Sequence, residues 1–231
     1  MSRRALDEDC DRDPDRFLTG RRVVLSHSRA GDVHGTVAER LRAGGHLPVL
    51  DVGCGYGALA RALGPGEGWV GLDRSLTMLR RGPRPSVRGE ARRLPFRDAA
   101  FGSVAALWML SHVAEPEVVT REARRVLRPG GLLVASAVAR DDSPELDDML
   151  DRRPGSFDAE EAAELVGEVF GEVEVTRWDG PLLVLPDRGA VADYLVGRGL
   201  ARERAGREAA RLAAPLTVTK RGCLVWARRA G

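Results

Sequence analysis

Residues 49–60 read Val-Leu-Asp-Val-Gly-Cys-Gly-Tyr-Gly-Ala-Leu-Ala. An apolar run with an acid at Asp51 is followed by Gly53, Gly55 and Gly57 and then by a helix-like pattern. The run predicts a buried parallel strand, and the glycines predict a tight turn where backbone can approach a ligand closely. The helix beyond offers unpaired N–H groups at its start, which suits a polar ligand. The chemistry implied is cofactor binding.

Gly53-x-Gly55-x-x-Ala58 also fits the loose dinucleotide fingerprint, with the acid Asp73 about 20 residues on as an acceptor for ribose hydroxyls. The loop alone leaves a nicotinamide cofactor and S-adenosylmethionine both open, because each carries an adenosine. Three further signals separate them. Asp51 opens an Asp-x-Gly-x-Gly-x-Gly string. A second segment reads Gly89-Glu90-Ala91-Arg92-Arg93-Leu94-Pro95-Phe96, followed by Phe101-Gly102-Ser103-Val104. A third runs from Arg124 through Leu127-Arg128-Pro129-Gly130-Gly131 to Val134.

In the order and spacing of these segments, residues 47–138 resemble the class I S-adenosylmethionine-dependent methyltransferases. The resemblance is to the small-molecule branch related to ubiquinone-biosynthesis methyltransferases. It implies an α/β fold: a Rossmann-like seven-stranded methyltransferase sheet with helices on both faces and an antiparallel last strand. It also implies site residues. Gly53, Gly55 and Gly57 pass against the methionyl part of the cofactor, and Asp51 orients the loop or holds the cofactor ammonium. Asp73, with Arg74 beside it, takes the ribose hydroxyls. Glu90 and Ala91 match an acidic-Ala pair at the adenine, where the family more often has Asp; Met78 and Leu94 flank the ring. Leu107 and Trp108 follow the fourth strand, where a backbone carbonyl meets the methionyl amine. The family's Phe-Asp is Phe101-Gly102 here, a departure that bears on loop packing more than on chemistry.

A sulfonium methyl is already electrophilic, so positioning and exclusion of water carry much of the rate, and a base is needed only where the nucleophile must lose a proton. His112, in Leu110-Ser111-His112 where relatives often carry Leu-His-His, is the candidate base; capping of the next helix is the structural alternative. His27 and His34, on the expected N-terminal lid, and Trp108 and His112 are candidate substrate contacts; Trp178 and Tyr194 are weaker ones. Asp179, Asp187 and Asp193 leave room for a cationic acceptor.

These residues need elements to position them, and the chain alternates strand and helix patterns throughout. Expected strands cover residues 49–52, 69–72, 86–89, 103–107, 132–138, 173–178 and 215–228. Expected helices cover 17–28, 33–42, 59–63, 75–81 (capped by Ser75), 116–127, 157–169 and 200–213, with Pro129-Gly130-Gly131 ending the helix before the fifth strand. Such alternation requires a sheet dominated by parallel strands. The organisation expected is a flexible arm (1–15), a helical lid (16–46), the cofactor-binding core (47–180), a helical insertion (181–214) and the last core strand (215–231). An insertion after the sixth strand emerges at the carboxyl edge of the sheet, where ligands bind, and is read as a cap.

A chain of 231 residues with net charge +2 buries a substantial core and carries no field that calls for nucleic acid or membrane. Of its 36 lysine and arginine residues only Lys220 is a lysine. The cluster Arg80, Arg81, Arg84, Arg88, Arg92 and Arg93 reads as a solvated face among nearby acids. Cys10, Cys54 and Cys223 are too far apart to form a metal or redox pair, and no export signal or spanning run is seen, so a reduced cytoplasm is expected. The partner expected is a small-molecule methyl acceptor, with the chain a monomer or homodimer and no metal. Whether O, N or C is methylated stays open. So do a different use of the same cofactor and a non-catalytic methyltransferase-like subunit.

Overall fold

The structure is a computed structural model that describes residues 13–150 and 155–231. Cys10 and most of the expected arm lie outside the described residues. Seven strands form one sheet: β1 (Val49–Val52), β2 (Trp69–Asp73), β3 (Ser86–Arg88), β4 (Phe101–Ala106), β5 (Leu127–Val138), β6 (Val173–Leu185) and β7 (Leu216–Arg228). Their order is β3-β2-β1-β4-β5-β7-β6, with β7 antiparallel to both of its neighbours and the other pairings parallel. The order reverses between β1 and β4, so a crevice opens beyond their carboxyl ends.

Helices cover both faces. On one lie α2 (Val33–Ala43) and α3 (Ala58–Leu63), whose Val37, Leu41, Leu59 and Leu63 join Val49, Val134, Leu224 and Trp226 in one apolar cluster. On the other lie α5 (Pro116–Val126) and α6 (Ala162–Phe170), packed on Leu50, Val52, Val104, Leu133 and Val225. In α5 the proline opens the helix, and Pro116, Val119, Thr120, Ala123 and Val126 are buried at helical spacing. The short α4 (Leu76–Leu79) is capped by Ser75, whose Oγ accepts from the Met78 N–H at 3.1 Å.

A third cluster stands apart. It joins Val23 of α1 (Pro14–His27), Leu146, the outer ends of β6 and β7, and the helices α7 (Arg188–Gly197) and α8 (Arg202–Arg211). Its core includes Leu183, Leu185, Val191, Leu195 and Val218, all buried. The paired ends of β6 and β7 carry this cluster, and a register shift between Gly180 and Leu183 marks where the ribbon departs from the sheet.

Several boundaries differ from the sequence reading for physical reasons. Helix α1 starts at Pro14, inside the stretch expected to be a flexible arm, because the Asp13 side chain accepts from Arg16 N and Pro14 suits the first helical position. Pro129-Gly130-Gly131 lies within β5, not at the end of a helix: α5 stops at Val126, and Gly130 N donates to Arg229 O at 2.8 Å, extending the ladder with β7. Strand β6 runs on to Leu185, through residues assigned to the insertion, because 183–185 pair with 216–218. Helix α6 begins five residues later than expected, at Ala162 rather than residue 157. Helix α7 was missed. Its apolar residues face the third cluster, which its own short sequence does not announce.

Candidate functional site

Gly53, Gly55 and Gly57 have φ of +69°, +54° and +78°, a region that side-chain-bearing residues rarely occupy. Two of them are also closely approached. A methyl group at Gly53 would lie 2.6 Å from the Met109 Cβ, and one at Gly57 would lie 2.3 Å from the Pro83 Cδ. Gly55 is the open one: a methyl there would meet only Met78 Cε, at 3.4 Å. Bare backbone is thus presented at the carboxyl end of β1, beside the buried Met78.

Two carboxylates fix this loop. Asp73, at the end of β2, accepts from Gly55 N at 2.8 Å through Oδ2 and from Ser75 N at 2.9 Å through Oδ1. One acid therefore ties the glycine turn to the cap of α4. Asp51 is buried and accepts from the Trp69 indole N–H at 3.2 Å. Burial pushes its carboxyl up to about 7, the indole N–H lowers it and the negative charge of Asp73 raises it further. Burial likewise raises the Cys54 thiol, so this cysteine is an inert part of the turn.

The facing wall comes from the segment after β4. Leu107 is buried, and Trp108 has φ +59°, a strained conformation for a bulky residue. Its N–H donates to Ser136 Oγ at 2.8 Å. The Trp108 ring meets Trp178 of β6 edge-on, with centroids 5.9 Å apart. Trp178 reaches it across Gly222, where a methyl group would lie 2.5 Å from the indole. His112 follows on a 3-10 turn (Leu110–His112) and is exposed. Glu90 is exposed and Ala91 half-buried; Glu90 O accepts from Arg93 N at 3.0 Å, a tight turn that leads into the buried Leu94.

Helix α1 reaches the glycine loop. Phe17 of α1 meets the Tyr56 ring edge-on at 6.2 Å, and the Arg21 and Arg61 guanidinium groups lie 5.8 and 5.1 Å from its centroid. Arg81 pairs with Asp15 at 2.8 Å. His27 is half-buried on α1. His34 is buried beside Asp32, 3.0 Å away, and burial lowers its pKa; with Arg21 it joins α1 to the start of α2. The three acids read as room for a cationic acceptor are each engaged: Asp179 with Arg221, Asp187 as the cap of α7, and Asp193 with Arg202. They lend that reading no support. Sequence reasoning missed Trp69, Met109 and Ser136, and it quoted Tyr56 without singling it out. Only contact across the fold reveals them.

The departure at Gly102 has a local cause. A methyl group there would lie 2.6 Å from Leu47 O, so the chain entering β1 leaves no room for a side chain. An open cavity of about 600 Å³, lined by Asp98, Arg121, Arg124, Arg125, Glu168 and Arg229, lies at the opposite, amino edge of the sheet, away from the glycine loop.

Strand order, the glycine turn at the reversal point and the acid closing β2 define a class of protein. They match the fold that the sequence resemblance to the class I S-adenosylmethionine-dependent methyltransferases implies. Residues 50–135 match the family model described as a methyltransferase domain. The demethylmenaquinone methyltransferase of Mycobacterium tuberculosis is 35% identical over 145 residues, 58% of this chain and 62% of that protein. Across the first of the curated relatives it matches, the chain spans 28% to 62% of their length. A Haemonchus contortus phosphoethanolamine N-methyltransferase, solved with phosphomonomethylethanolamine and S-adenosylhomocysteine, is 16% identical with TM-score 0.64, covering 100% of this chain and 61% of that one. The [4+2]-cyclase SpnF is 22% identical with TM-score 0.60, covering 86% and 81%. At these identities the structural likeness is one of fold.

Proposed function

We propose that the protein binds S-adenosylmethionine and transfers its methyl group to an O, N or C atom of a small metabolite. The observation that carries this is the left-handed glycine turn tied by Asp73 and faced by Met109 and Trp108. Its bare backbone suits the methionyl chain, and Asp51 lies beneath it, where the charge of a bound ammonium group would favour its ionised form. Asp73, Arg74, Glu90 and Ala91 line the path for the adenosine, with Met78 and Leu94 beside the ring. Bound there, the cofactor supplies an electrophilic methyl.

The protein's own work is positional. Leu107 and Trp108 form the wall across from the glycine turn, and the lid above Tyr56 excludes water. Well-oriented approach in a closed site is worth about 7–11 kcal/mol of the barrier. His112, exposed where β4 ends, is the group that would accept a proton from an acceptor that must lose one; His27 on the lid and Trp108 are the proposed acceptor contacts.

Calorimetric titration with S-adenosylmethionine and S-adenosylhomocysteine, with NAD as control, tests the reading. Micromolar binding of the first two alone supports it; binding of neither overturns it. Asp73→Ala should weaken binding about ten- to a hundredfold, the effect of one charge-assisted hydrogen-bond site. His112→Ala should retain cofactor affinity while turnover falls by about 10²–10⁴ where a base is used.

A further inference from the structure

Outside the glycine loop, one buried polar network stands out, and it contains the chain's sole lysine. Lys220 of β7 directs its ammonium at three acceptors: Asp142, Ser143 Oγ at 3.1 Å and the Tyr194 hydroxyl at 3.0 Å. Asp142 and Ser143 follow β5 at the carboxyl edge; Tyr194 belongs to the cap helix α7. Asp142 is buried and also pairs at 3.2 Å with Arg198, the residue just past α7, and its other oxygen accepts from Arg221 N at 2.8 Å. Ser143 and Tyr194 are buried too, with their hydroxyls 3.0 Å apart. Ser143 holds φ +61°, a strained conformation that the surroundings must maintain.

An ammonium has three donors on one tetrahedral centre, and here all three are used. A guanidinium is planar and longer, and cannot direct its N–H groups at three converging acceptors. That explains a lysine in a chain that otherwise uses arginine. The network is a polar tie between α7, the segment after β5 and β7, beside the apolar cluster that α7 shares with Leu183, Leu185 and Val218 of the β6–β7 ribbon.

The cap in turn touches the glycine loop. Helices α7 and α1 cross with backbones in contact: a methyl group at Gly20 would lie 2.6 Å from the Gly197 Cα, and one at Gly197 would lie 2.3 Å from the Gly20 Cα. Arg29 N, just past α1, donates to Leu182 O at 2.7 Å. Helix α1 then reaches Tyr56, between Gly55 and Gly57, through Phe17 and Arg21. A contiguous path therefore runs from Lys220 through α7 and α1 to the cofactor turn.

We propose that Lys220 is the latch of a cap made of α1, α7 and α8, and that closing this latch is linked to occupancy of the glycine turn. The linkage rests on the proposed cofactor binding; the latch does not. Two-site linkage is reciprocal: the factor by which ligand favours the closed cap equals the factor by which an open latch weakens the ligand.

Because Lys220 is the only lysine, an amine-reactive ester followed by peptide mass spectrometry reads latch opening at one residue. In the protein alone, Tyr194→Phe keeps the ring and removes one acceptor; it should speed labelling of Lys220 about tenfold and raise amide exchange across both 188–211 and 14–27. Unchanged labelling and exchange in that variant would overturn the latch. Saturating S-adenosylhomocysteine should slow labelling in the wild type, and Lys220→Arg should weaken its binding by a factor no larger than that slowing, about three- to thirtyfold. If the ligand binds and labelling does not change, the linkage is wrong; if it does not bind, the cofactor reading fails while the exchange result still decides the latch.

Discussion

Burial beneath the glycine turn raises the pKa of Asp51 to about 7. In the unfolded chain such a carboxyl ionises near 3.8, whereas in the folded protein it holds its proton to about 7. Between those values the folded state binds more protons, so raising the pH removes stability, by up to about 1.4 kcal/mol per unit, and the loss levels off above 7. Asp51→Asn should erase that slope, measured as urea stability of variant against wild type from pH 4 to 7. A parallel pair of curves would mean that Asp51 ionises normally. Gly57 offers a second test at this scale. Its φ of +78° and the nearby Pro83 predict that Gly57→Ala costs about 2–4 kcal/mol of stability.

Elements depend on glycine where backbones meet. Helices α1 and α7 can cross as they do only because Gly20 faces Gly197. Gly197→Ala keeps the helix propensity of α7 favourable, yet should destabilise the protein by about 1–3 kcal/mol through overpacking, seen as a lower Tm. A raised Tm would show that the helices have room to separate. The same logic holds at Gly222, where the absence of a side chain lets Trp178 reach Trp108, and at Gly102, where Leu47 O comes close. In each case the glycine's reason is a neighbour distant in sequence. The sequence suggested only one of these positions as unusual, Gly102, and from the resemblance rather than from its surroundings.

The described residues hold two clusters on the faces of one sheet and a third among α1, α7 and α8, joined by the β6–β7 ribbon and the Lys220 network. Such an arrangement should open in two steps. Amide exchange in low urea should show residues 188–211 opening at a lower free energy than β1, β4 and β5. One common opening energy for all of them would mean that the cap and sheet unfold as a unit. Among the described residues no helix is long and apolar enough to cross a membrane.

Local sequence was enough for the parts whose causes are local. The first strand matches its expected bounds, Ser75 caps α4, and the alternation of elements yields the seven-stranded sheet with its helices on both faces. The glycine spacing and the acid at Asp73 were likewise legible, because turn geometry is dictated by the residues in the turn. Tertiary structure decided the rest: Trp69 on Asp51, Ser136 behind Trp108, the burial of His34, the helix α7, and the union of Asp142, Ser143, Tyr194 and Lys220. The contacts of Trp69, Ser136 and Lys220 join residues from 18 to 78 positions apart. Their energy comes from burial and hydrogen bonding among separate elements, which neither propensity nor periodicity encodes.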